Sequence, residues 1–119
     1  MKPGRELDKK IAVKVMGLIF NPDGTVSRPG DDRSCGILKP YSTKNSCVSL
    51  IEKKLETEGK LLIIQSQNRL NDPNPESYTC KVVSSEDSMV IYSMASSTYS
   101  RAHAVCLAVL KDSKENNLD

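Results

Sequence analysis

A helical stripe that stops at a glycine and runs at once into a hairpin turn most narrows the folds open to this chain. Leu7, Ile11, Ala12, Val15 and Met16 recur at spacings of three and four, which makes one apolar face on a first helix. Lys9, Lys10 and Lys14 then face water. Gly17 stands where a left-handed helix cap is expected. The next residues read Phe20-Asn21-Pro22-Asp23-Gly24-Thr25-Val26. Proline presets one turn position, Asn and Asp accept local backbone bonds, and Gly24 supplies a positive φ. The pattern predicts a hairpin in which Leu18–Phe20 pairs with Thr25–Ser27.

The polar stretch Arg28 to Cys35 reads as a loop, and Gly36–Leu38 as a short extended piece. Pro40-Tyr41-Ser42-Thr43 then opens a second helix, with Ser42 or Thr43 as the capping acceptor. Cys47, Leu50, Ile51 and Leu55 form its inner face from about Thr43 to Glu58, and Gly59 stops it. A strand is predicted over Leu61–Gln67, an irregular Pro- and Asn-rich segment over Asn68–Ser77, and a hairpin of Tyr78–Val83 with Met89–Met94 linked by Ser84–Ser88. Ala102, Val105, Cys106, Val109 and Leu110 make a last helical stripe, and residues 114–119 are expected to fray. The order predicts one α+β domain over residues 1–113, an antiparallel sheet covered by about three helices in α/β/α sandwich-like layers.

The chain of 119 residues can bury one modest core without a disulfide or metal. The N-terminus has no apolar run behind its basic residues, and the longest such run, Leu61–Ile64, is far from the ~18 residues of a membrane span. A cytoplasmic protein is expected, its four cysteines (Cys35, Cys47, Cys80, Cys106) read as free thiols, mostly buried. Seventeen basic against fifteen acidic residues leave a net charge of +2, too little to argue for nucleic acid or an anionic membrane. Only five aromatic side chains argue against a single-strand stacking groove.

Three segments carry a resemblance. Arg5-Glu6-Leu7-Asp8 with Ala12 and Val15-Met16-Gly17, then Pro40-Tyr41-Ser42-Thr43 opening a helix, then Ala102, Ala104, Cys106, Leu107 and Ala108 near the end, resemble the phage ABA sandwich domain family of small phage and prophage proteins. The chain lacks the tryptophans that many of those proteins carry. The resemblance implies helix–sheet–helix layering and a bacteriophage or prophage origin, so that the chain would act in the host cytoplasm. It brings no catalytic residues with it. A homodimer is an open expectation for a small protein of that kind with a free sheet edge.

Reactive machinery is sparse. His103 is the single histidine, and the chain holds no Gly-x-Ser-x-Gly, no phosphate-cradling glycine loop and no histidine pair for a metal. Cys106 follows His103 by three residues but falls in the buried stripe. A non-enzymatic protein without cofactor or metal is expected. Two helix starts combine hydroxyls, tyrosine and positive charge: Lys39, Tyr41, Ser42, Thr43 and Lys44 at the first, Thr98, Tyr99, Ser100, Arg101 and His103 at the second. Unsatisfied N–H groups at such ends attract phosphate or carboxylate, and a guanidinium can clamp it. The hydroxyls are equally explained as helix caps worth about 1 kcal/mol each. The expected function is therefore a phage protein that sequesters a nucleotide-like anionic signalling molecule and so counters host defence. The alternative is a protein-binding inhibitor or accessory domain acting on a host or virion protein through an edge strand or the basic first helix.

Overall fold

The computed structural model describes residues 2–30, 34–68 and 75–116. Helix α1 (Arg5–Lys10) runs directly into a π-helical turn over Ile11–Val15. In the wider turn the Met16 N–H reaches back to the Ile11 carbonyl at 2.9 Å. Gly17 adopts φ 70°, which folds the Leu18 N–H onto the Ala12 carbonyl at 2.8 Å and ends the element. Leu7, Ile11, Ala12 and Val15 are all buried, as the stripe predicts.

The predicted hairpin forms from β1 (Ile19–Phe20) and β2 (Thr25–Ser27), with Ile19 opposite Ser27 and Phe20 opposite Val26. Its turn is held by side chains as well as backbone. The Asp23 carboxylate accepts from both the Thr25 N–H (3.0 Å) and the Thr25 hydroxyl (2.6 Å), and these bonds hold its pKa below the ordinary value. Gly24 takes φ 89° as the turn requires. A third strand, β3 (Ser34–Ile37), pairs with β2 to complete a small antiparallel sheet.

The second helix starts later than its hydroxyls suggest. Residues 40–44 form a turn in which the Pro40 carbonyl accepts from Lys44 N–H at 3.1 Å, a 3-10 turn follows over Asn45–Cys47, and α2 spans Val48–Glu56. Neither Ser42 nor Thr43 caps it, because Ser42 is already engaged elsewhere. Its N–H and its hydroxyl both donate to the buried Asp8 carboxylate, at 2.7 and 2.6 Å, and its oxygen accepts the Gly4 N–H at 2.9 Å. Ser42 thus fixes the start of α1 rather than that of α2.

The larger sheet has the order β4 (Lys60–Asn68), β5 (Pro75–Ser84), β6 (Ile91–Ser97), antiparallel throughout. Pro75–Ser77, expected to be irregular, belongs to β5, with Pro75 opposite Asn68 beyond a register irregularity. The edge of a strand tolerates proline because the missing donor costs little there. Residues 69–74, most of the expected irregular segment, lie outside the described residues. Helix α3 spans Arg101–Asn116, so it continues past Lys114, and residues 117–119 lie outside the described residues.

The α+β class holds, but the layering differs from a sandwich around one sheet. Two three-stranded sheets replace the single one. Buried residues of α1, its π turn, α2 and α3 share one cluster with Cys80 and Val82 of β5, against which Leu62, Ile64, Tyr78 and Ala95 also pack. These residues occupy one face of the larger sheet. Alternating with them, Leu61, Ile91 and Met94 are 44%, 51% and 49% exposed. All the helices therefore share a single side. Helix α3 is tied to the sheet by the Ser93 hydroxyl donating to the Ala108 carbonyl at 2.7 Å and by a Lys60–Asp112 ion pair at 2.8 Å. Ala102, Ala104 and Ala108, fully buried, let its backbone come close to the strands.

Replacing Ser42 by Ala removes the Asp8 hydroxyl partner and the acceptor for Gly4, and leaves a buried carboxylate with one bond fewer. The expected loss of folding stability is about 2–3 kcal/mol, read as a lower denaturation midpoint in urea.

Candidate functional site

At the first helix start, Lys39, Thr43 and Lys44 are exposed, whereas Tyr41 and Ser42 are buried. Every donor of Ser42 is spent on Asp8. The Thr43 and Lys44 N–H groups both turn back to the Pro40 carbonyl. The backbone donors of residues 41–44 are thus all engaged within the protein.

The second helix start is closed by its own side chains as well. Ser100 is the cap of α3: its hydroxyl oxygen accepts the His103 N–H at 3.0 Å, and its carbonyl accepts the Ala104 N–H at 3.2 Å. The Ala102 N–H donates to Asn45 Oδ1 at 3.2 Å. Asn45 lies in the 3-10 turn ahead of α2, so the two helix starts do meet, and the meeting consumes a donor that an anion would need. Sequence reasoning passed over Asn45, whose partner stands 57 positions away.

His103 is buried beside Ser97, with Ser97 Oγ 2.6 Å from His103 Nδ1. Ser97 Oγ also accepts the Tyr99 N–H at 3.0 Å. Tyr99 meets the imidazole edge-on, with ring centres 5.2 Å apart. The serine lone pairs are occupied by backbone donors and the side chain is buried, which suits a structural cap rather than a nucleophile.

Of the ten residues singled out from the sequence, five border one or other of two separate cavities. Thr98, Tyr99 and His103 border one of about 430 Å³, together with Ser77, Ser96 and Ser97. Lys39 and Tyr41 border a groove of about 700 Å³ between the small sheet and α2, with Arg28 among its walls. Ser42, Thr43, Lys44, Ser100 and Arg101 border neither. The guanidinium of Arg101, expected to clamp a ligand, belongs to an exposed residue outside the cavity beside its helix.

Catalytic and metal chemistry find little footing among the described residues. Cys47, Cys80 and Cys106 are free and buried, as expected, while the Cys35 side chain lies outside the described residues. Burial pushes the Cys80 thiol up to about 12 and the Cys106 thiol higher still, so neither forms thiolate near neutral pH. No group of three histidine, cysteine or acidic side chains among the described residues could hold a metal ion, and no described helix is long and apolar enough to cross a membrane. No protein-family model matches the chain, no curated protein matches it, and no solved structure matches it.

The thiols give a pH test with a definite sign. In the unfolded chain Cys80 and Cys106 ionise near pH 8.5, whereas in the folded chain they stay protonated beyond that. Their contribution to stability is complete below the unfolded pKa and declines as pH rises toward the folded one. The slope approaches about 1.4 kcal/mol per thiol per pH unit. Urea unfolding between pH 8 and 10 should show this decline, and it should be smaller in Cys80→Ala/Cys106→Ala.

Proposed function

We propose that the chain is a non-catalytic binding protein that docks onto another protein through the outer face of its larger sheet. The observation that carries this reading is the exposure of Leu61, Ile91 and Met94 on the side of that sheet opposite the helices. Val90 and Met89, in the link between β5 and β6, extend the apolar surface, with Met89 85% exposed. A contiguous apolar patch on a small chain marks an interaction surface more often than it marks idle surface. Lys81 stands between Ile63 and Met94 in the register of the three strands, and it has no ion-pair partner among the described residues. The fitting partner therefore presents an apolar surface with a carboxylate opposite Lys81. In the bacteriophage or prophage setting that the resemblance implies, this partner is a host or virion protein.

A photo-crosslinking side chain placed at Met94 tests the reading in bacterial cells producing the full chain, with Lys53 on the exposed side of α2 as the control position. A heteromeric adduct is expected from position 94, none from position 53, and none from position 94 once Leu61→Lys and Ile91→Lys are introduced. Those two changes lie at exposed positions and should alter stability by no more than about 0.5 kcal/mol each. Equal adducts from both positions, or no adduct from position 94, would refute it. An adduct between two copies would replace the foreign partner with a homodimer.

A second reading, sequestration of a nucleotide-like anionic signalling molecule, is favoured by the cavity of about 430 Å³ where Thr98, Tyr99 and His103 gather with three serines. That volume falls within the range of small-ligand sites. Calorimetry with cyclic nucleotides and ADP-ribose derivatives tests it. Heat of binding should vanish in Tyr99→Ala and persist in Arg101→Ala, because only the first residue borders the cavity.

A further inference from the structure

The groove between the small sheet and α2 combines three features that neither reading above uses. Its volume, about 700 Å³, is that of a small-molecule site. Its walls include the partly buried Leu18, Leu38 and Leu50, which pack against the core on one side and face the groove on the other. Two cations, Arg28 and Lys39, also border it, both exposed and neither in an ion pair among the described residues.

Tyr41 supplies an independent pointer. The residue is only 2% exposed, yet its hydroxyl makes no hydrogen bond to the described residues. Among the described residues no fully enclosed side-chain polar atom goes without a partner, so this hydroxyl is not sealed in. The tyrosine is among the residues that line the groove. Burial raises the phenol pKa, with the neighbouring Cys47 and Asp8 adding to the effect, so the group stays a hydrogen-bond donor at neutral pH. A buried donor and two cations that have no partner among the described residues, beside an apolar wall, form the donor set for an amphipathic anion.

We propose that this groove binds a small amphipathic anion, an aromatic or short acyl body with one carboxylate or phosphate head. The body lies against Leu18, Leu38 and Leu50. Arg28 and Lys39 hold the head group, and the Tyr41 hydroxyl donates to it. The site stands apart from the outer sheet face and from the cavity at Tyr99, so it rests on neither reading above.

Calorimetry on the full chain with decanoate and with 1-naphthyl phosphate tests the proposal, using decanol, 1-naphthol and inorganic phosphate as controls. At least one of the two anions should bind one to one and about tenfold more tightly than its neutral counterpart, as expected for charge-assisted hydrogen bonds. Arg28→Gln/Lys39→Gln should remove that advantage, while Ile91→Lys/Met94→Lys, on the outer sheet face, should leave it intact. Tyr41→Phe should weaken binding severalfold without lowering the unfolding temperature, since the hydroxyl it removes has no partner among the described residues. The proposal is overturned if neither anion binds, if the neutral counterparts or inorganic phosphate bind as well, or if the Arg28/Lys39 variant binds like the original. It is overturned equally if the sheet-face variant abolishes binding.

Discussion

A single buried carboxylate holds the helical side of the molecule together. Asp8 projects from α1 and takes two hydrogen bonds from Ser42, 34 positions later in the chain, while Ser42 takes the N–H of Gly4 just ahead of the same helix. Burying a carboxylate is costly unless its lone pairs are occupied, and here donors of fixed geometry occupy them. The arrangement determines where residues 40–44 cross α1, and through them where α2 begins. It also delivers Tyr41 into the interior. Together with the Gly4 N–H bond to Ser42, the Asp8–Ser42 contact joins the start of the chain to the turn that precedes the second helix.

That contact gives a physical meaning to the two segments behind the resemblance. Leu7-Asp8 and Tyr41-Ser42 come from separate motifs, and they act as the two halves of one junction: Leu7 and Tyr41 enter the core while Asp8 and Ser42 bond each other. The third segment behaves differently. Its alanines are small so that α3 can lie close to β5 and β6, and Ser93 then reaches the Ala108 carbonyl.

Most of the fold was legible because it depends on neighbours in sequence. The apolar stripe of α1, the hairpin turn from Asn21 to Thr25, the stop at Gly59 and the alternation in β4 to β6 are local patterns with local causes. What escaped depends on partners far apart. Ser42 reads as a helix cap until Asp8 claims it, and Asn45 reads as a loop residue until the Ala102 N–H finds it. The division of the strands into two sheets, and the gathering of every helix on one side, follow from tertiary packing that period alone does not encode. The candidate site was less legible than the fold for the same reason. Hydroxyls near a helix start look available in a string of letters, yet Ser42 is spent on Asp8 and Ser100 on the His103 N–H.

The widened turn at Ile11–Val15 carries a consequence for how chains of this kind diverge. A π turn accommodates one residue more than ordinary helical winding, so it is the natural scar of a single-codon insertion. Each residue adds about 100° of rotation along a helix. Because the wider turn absorbs that rotation, a homologue shorter by one position here would wind as ordinary helix and leave Leu7, Asp8 and Gly17 where they are. The short stretch is therefore a place where the chain can change length by one residue without displacing the ribbon that follows Gly17.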